Sequence, residues 1–134
     1  MCIRDRLSSN GCDEISSNAV ATTVSTAERD GSASHGLFRI PGYVKSLRSN
    51  KVNGKANPTV KNLTQNAIRV DGDYGFAPMA IHVGIPALKE ITNKHGVGVL
   101  GIVNTHHFAA LFLVLHDLRT PAPLQSQTIK FHKK

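Results

Sequence analysis

The stretch APMAIHVGIPALKEITNKHGVGVLGIV, Ala77 to Val103, decides the fold class. Ala77, Ala80, Ile81, Leu88 and Ile91 keep to one face at helical spacing, which predicts a long helix. Gly84 and Pro86 sit inside it, so a break or kink is expected near Ile85. Gly96 ends the helix, and Val97 to Val103 (VGVLGIV) has the length and composition of a buried strand. A helix running into a buried strand belongs to a layered α/β arrangement rather than to a bundle or a sandwich.

Outward from this unit the pattern agrees. Upstream, Pro58 to Lys61 and Ala67 to Val70 read as short strands, followed by a Gly/Asp turn at Asp71 to Gly75. Ile15, Ala19, Val20, Val24 and Ala27 mark an amphipathic helix over Asp13 to Arg29, with Asp13 and Glu14 at its front end and Gly31 as its stop. Ser32 to Gly36 is a tight loop of small residues around one histidine. Leu37, Ile40, Tyr43, Val44 and Leu47 resume helical spacing, with Pro41 tolerable only in or just before the first turn. Ser49 to Asn57 is a polar connection with the turn pair Asn53-Gly54. Downstream, Phe108 to Leu115 (FAALFLVL) reads as helical, and Thr120 to Lys134 has no core-forming pattern. Helix, strand pair, helix, buried strand and helix together make a mixed α/β domain.

The chain has 134 residues, 40% of them hydrophobic, which suits one domain with a core that needs no disulfide staples. Cys2 and Cys12 form no C-x-x-C pair and follow no secretory signal pattern, so a reduced, cytoplasmic setting is expected. No apolar run approaches the ~20 residues of a membrane span. The formal net charge is +7, and residues 31–70 hold Arg39, Lys45, Arg48, Lys51, Lys55, Lys61 and Arg69 without one carboxylate. Such a segment suits small anionic ligands as well as nucleic acid. Only Phe38 and Tyr43 could stack on bases there, which disfavours a nucleic-acid-binding module.

Two groups of residues could carry chemistry. Ser34 and His35, with Arg39 four residues on, offer a hydroxyl, a titratable imidazole and an anion fork for a small carboxylate. If the chain is helical there, imidazole and guanidinium share a side. The same residues would also serve as a helix cap, a surface histidine and an exposed ion pair. His106 and His107 follow a buried strand, where α/β sheets commonly place ligand groups. Backbone donors there could face a phosphate, or only water and Thr105. Adjacent histidines diverge and no ligand-spaced cluster accompanies them, so no metal site is expected. His82 and His95 read as solvated and Met79 as core filling. Neither G-x-G-x-x-G nor a Walker loop is present.

Taken together, AERDGSASHGLFRIPGYVKSLRSNKVNGKANPTV (Ala27 to Val60), VDGDYGFAP (Val70 to Pro78), HGVGVLGI (His95 to Ile102) and NTHHFAAL (Asn104 to Leu111) resemble the malate/L-lactate dehydrogenase-like family of NAD(P)-dependent oxidoreductases. Four blocks in order, with an SHG-x-x-R-x-P-x-Y core, make the resemblance more specific than either motif alone. HHFAAL looks most like the branch that reduces Δ1-piperideine-2-carboxylate and Δ1-pyrroline-2-carboxylate; other branches act on malate, lactate, sulfolactate or ureidoglycolate. The resemblance implies a non-Rossmann fold, incomplete in this chain, a homodimer, and NAD(P)H, with NADPH favoured, as cofactor. It implies that Ser34 and His35 act in a charge relay with an aspartate further along the chain. Arg39 would hold the substrate carboxylate, and His107, Phe108, Ala109, Ala110 and Leu111 would contact the cofactor.

On the same resemblance, residues 7–118 are the N-terminal part of the oxidoreductase domain. Residues 1–6 (MCIRDR), similar to adapter read-through, are expected to be a non-native leader, and residues 119–134 a non-native or disordered tail. The expected activity is reduction of a small cyclic imino acid. The alternatives are a malate- or lactate-type 2-hydroxy acid dehydrogenase, a small basic nucleic-acid-binding module, or an inactive fragment. Asn50 stands where relatives usually carry glycine in a turn.

Overall fold

The computed structural model describes residues 2–107 and the backbone of residues 128–131. The first layer is helical: α1 (Ile3–Ser8), α2 (Glu14–Arg29) and α3 (Ile40–Arg48). Asp13 caps α2, its carboxylate accepting the Ser16 amide at 2.7 Å, which satisfies one of the unpaired donors of the first turn. Pro41 lies in the first turn of α3, where its missing N–H costs nothing. Leu7, Val20, Val24, Tyr43, Val44, Leu47 and Phe76 are buried together between these helices.

The second layer is a sheet in the order β1-β2-β3-β4: β1 (Thr59–Thr64), β2 (Ala67–Asp71), β3 (Val99–Val103) and β4 (Thr128–Phe131). β1 and β2 form an antiparallel hairpin, while β3 runs parallel to β2 with Val70 opposite Ile102. The parallel step is made by α4 (Ala77–His95). Ile68, Val70, Leu100 and Ile102 pack against Ala80, Ile81, Ile85 and Leu88 of this helix, each large side chain contributing roughly 1.5–3 kcal/mol by leaving water. The core is thus a helix-on-sheet sandwich beside a helical cluster.

The expected break near Ile85 does not occur, since α4 is a single helix through Pro86. Pro86 is exposed, as is His82, whose carbonyl loses its helical donor; water can serve that carbonyl, and the buried flank of Ile85 and Leu88 holds the axis. Gly96 closes the helix with φ of 81°, as the sequence predicts. Asn50 has φ of 52°, so the turn after α3 has the left-handed residue that glycine more commonly supplies. Residues Thr128–Phe131, within the stretch expected to lack pattern, pair as β4 alongside β3; a Thr-Ile pair followed by Phe suits a short strand. The helix expected over 108–115 lies outside the described residues. Among those described, no helix is long and apolar enough to cross a membrane.

Candidate active site

Ser32 to Arg39 is neither a plain loop nor the start of α3. It forms two short 3-10 turns, Ala33–His35 and Leu37–Arg39, and α3 begins only at Ile40. The helical i, i+4 arrangement considered for His35 and Arg39 is therefore replaced by a fold-back. The Nε of Arg39 donates to the Ser34 carbonyl at 2.7 Å, so the two terminal nitrogens of the guanidinium are the ones left for an anion. The hydroxyl of Ser34 is 3.0 Å from Nδ1 of His35, and that of Ser32 is 3.4 Å from the same nitrogen. Nε2 is then the nitrogen of His35 available for proton exchange. Asp30, close to His35 in sequence, accepts instead from Nε of Arg29 at 3.0 Å.

The second group lies at the carboxyl end of β3. The Gly72 amide donates to Val103 at 2.9 Å and the Tyr74 amide to Asn104 at 2.7 Å, while Asn104 Nδ2 donates to Asp71 at 2.9 Å. The turn after β2 is thereby locked to the end of β3. The His106 amide donates to Gly75 at 2.8 Å and its carbonyl accepts from Ala77 at 3.2 Å, which ties this end to the start of α4. Asn104 and His107 both adopt positive φ, 53° and 47°. Such strain in residues other than glycine persists only where the surroundings dictate it.

The two groups meet through Tyr43. Its hydroxyl is 3.1 Å from Nδ1 of His107, and its ring packs edge-on against Phe76 and His107 at centroid distances of 5.2 and 5.5 Å. Burial raises the Tyr43 phenol, with the nearby Arg39 charge opposing, so the hydroxyl keeps its proton. Burial also lowers His107, and the positive charges of Arg39, His106 and His35 act in the same direction. His106 is lowered by burial and by Lys51. Both imidazoles are therefore held toward the neutral form.

Ser34, His35, Arg39 and His107, singled out in the sequence, thus converge on one region. Phe108, Ala109, Ala110 and Leu111 lie outside the described residues. Among the described residues no group of three or more His, Cys, Asp or Glu could hold a metal. The bond of Tyr43 to His107 has no signal in the spacing around α3, because its partner lies 64 residues further along the chain. The bond that Glu28 Oε2 accepts from the Leu37 amide at 2.8 Å had no signal in local spacing at all.

Comparison with known proteins gives this geometry a setting. A profile of the malate/L-lactate dehydrogenase family matches residues 1–118. The chain is 40% identical over 109 residues to a Δ1-pyrroline-2-carboxylate reductase of Ancylobacter novellus, covering 81% of this chain and 32% of the relative. It is 42% identical over 103 residues to a Δ1-pyrroline-2-carboxylate/Δ1-piperideine-2-carboxylate reductase of Pseudomonas putida, covering 77% of this chain and 30% of the relative. The crystal structure of Δ1-piperideine-2-carboxylate reductase from Pseudomonas syringae superposes with a TM-score of 0.80 at 39% identity, covering 84% of this chain and 34% of that one. The chain therefore spans about one third of the length of the relatives it matches. The shared mixed α/β architecture and the extent of the sequence match establish that the chain belongs to the malate/L-lactate dehydrogenase family.

Proposed function

We propose that this chain supplies the carboxylate-binding and proton-handling arm of an NAD(P)H-dependent reductase of small cyclic imino acids, Δ1-piperideine-2-carboxylate and Δ1-pyrroline-2-carboxylate. The observation that carries the proposal is the convergence of Arg39, His35 and the Tyr43–His107 pair. The names of the relatives favour cyclic imines over open-chain 2-oxo acids.

The described residues fit a nicotinamide cofactor. Half-buried imidazoles kept neutral, beside the rings of Phe76 and Tyr43, suit the uncharged dihydronicotinamide ring of the reduced cofactor, and Lys51 close to His106 suits a phosphate. His107 is the described residue that would contact it. When bound, the reduced cofactor, for which we favour NADPH over NADH, would supply the hydride.

Arg39 takes the substrate carboxylate through its terminal nitrogens and so fixes which face of the planar C=N carbon is presented. Reduction adds hydride to C2 and a proton to the ring nitrogen as the C=N π bond breaks. His35, with Nδ1 engaged by Ser34, handles that proton through Nε2. The proposal extends to a homodimer working in the cytoplasm; the free thiols of Cys2 and Cys12 accord with a reducing compartment.

The test uses a family-length protein carrying this segment, with NADPH oxidation followed on both cyclic imines and on 2-oxo acids. Arg39→Ala is expected to raise KM about tenfold to a hundredfold, the loss of a charged hydrogen-bond pair. Unchanged KM in that variant, or turnover of 2-oxo acids alone, would contradict the proposal.

A further inference from the structure

The segment that carries Ser34, His35 and Arg39 has little packing to hold it. Leu37 is 51% and Phe38 77% exposed, and Ser34 is exposed as well. Its backbone bonds are mostly local: His35 to Ser32, Gly36 to Ala33 and Arg39 to Gly36. Two backbone donors of the segment reach the body of the protein, both toward the end of α2. The Ser32 amide donates to the Ala27 carbonyl at 2.8 Å, and the Leu37 amide donates to Oε2 of Glu28 at 2.8 Å. The first tie lies before His35. The second lies between His35 and Arg39.

The Glu28 carboxylate reaches this amide by lying against Gly36. A methyl group added there would overlap Oε2 of Glu28 and come within 3.3 Å of the Glu28 Cα. Among the described residues Glu28 enters no ion pair, so its charge is spent on a backbone donor, the arrangement that makes such bonds short and directional.

We propose that Glu28 is a positioning residue for the site. Its carboxylate clamps the backbone between His35 and Arg39 and thereby sets both side chains relative to His107. Glu28 itself touches neither substrate nor cofactor. The consequence for ligand binding rests on the assignment of Arg39 to the substrate carboxylate, whereas the clamp can be read in the isolated chain.

The experiment compares Glu28→Ala, Glu28→Gln, Gly36→Ala and Arg39→Ala with the parent 134-residue chain. Two quantities are measured by NMR: hydrogen exchange at the Leu37 amide, and affinity for pyrrole-2-carboxylate, a planar mimic of the cyclic imines. In Glu28→Ala both exchange rate and dissociation constant are expected to rise about tenfold or more, as a lost charged hydrogen bond dictates. Gly36→Ala keeps the carboxylate but displaces it, and should show the same loss. Glu28→Gln keeps an acceptor oxygen and should restore both values to within about threefold of the parent, since a neutral acceptor is only moderately weaker.

Leu37 exchange and affinity left at parent values in both Glu28→Ala and Gly36→Ala would overturn the proposal. So would a Glu28→Gln variant as impaired as Glu28→Ala. If the parent and Arg39→Ala bind the probe equally, or neither binds it, the role given to Arg39 fails instead, and Leu37 exchange across the Glu28 and Gly36 variants still decides the clamp. Should Glu28→Ala fail to fold, Gly36→Ala and Glu28→Gln carry the decision.

Discussion

The hydroxyl of Tyr43 lies 3.1 Å from Nδ1 of His107, a bond that joins α3 to the residue group just past β3. Tyr43 is 5% exposed, so the bond forms in surroundings where an unmet polar group is costly. Through it the helical layer, which bears Arg39, and the sheet layer, which bears His107, are held in one arrangement.

Tyr43→Phe keeps the edge-on ring packing with Phe76 and removes only this bond. It should destabilise the chain by about 1 kcal/mol and shift the NMR signals of the His107 ring. A denaturation midpoint and imidazole signals equal to those of the parent would show that the bond does not form in solution.

The depressed His106 and His107 make stability depend on pH. Each imidazole ordinarily titrates at 6.5, and burial, aided by neighbouring positive charges, lowers both in the folded chain. The unfolded chain therefore binds protons first as pH falls. The stabilisation is fully present above about pH 6.5 and is lost as pH drops through that value toward the folded pKa values. Thermal unfolding followed between about pH 7.5 and 5.5 should show a falling midpoint, and His107→Gln should flatten that slope. A midpoint that rises on acidification would contradict the assignment.

Gly72 links the turn after β2 to the approach of the histidines. A methyl group there would overlap the Thr105 side chain and lie 3.0 Å from the Asn104 carbonyl oxygen. Gly72→Ala is expected to cost roughly 1–3 kcal/mol, the usual penalty of overpacking, and to disturb the signals of His106 and His107. Chemical denaturation monitored alongside NMR checks both effects.

The two thiols should differ sharply in reactivity. Burial, with the Asp13 charge adding to it, pushes Cys12 up to about 11, while Cys2 is exposed. Alkylation of the native chain at neutral pH should label Cys2 and spare Cys12 until the chain unfolds, since the thiolate is the reactive species. Equal labelling of the native protein, read by mass spectrometry, would count against the buried packing of Cys12 between α1 and α2.

Much of this architecture is written locally. The acidic front end of α2, the stop at Gly96, the alternation of β2 and the apolar run of β3 each follow from neighbours in sequence, and the structure places them where those patterns indicate. Pro86 misleads because local chemistry disfavours it in a helix, whereas the burial of Ile85 and Leu88 beneath it is a tertiary effect. The site divides in the same way. Ser34, His35 and Arg39 are legible as a cluster because they are adjacent, and His107 because it follows a strand end. The Tyr43–His107 bond spans 64 residues and the Glu28 clamp on Leu37 nine, across the end of a helix, and no periodicity records either.

The role of His35 is tested most directly by NADPH oxidation with Δ1-piperideine-2-carboxylate by a family-length protein carrying this segment, compared with its His35→Ala variant. Measurable turnover is expected in the parent, with a loss of about a hundredfold or more in the variant, the scale of a removed general acid. Unchanged turnover in His35→Ala would contradict that role.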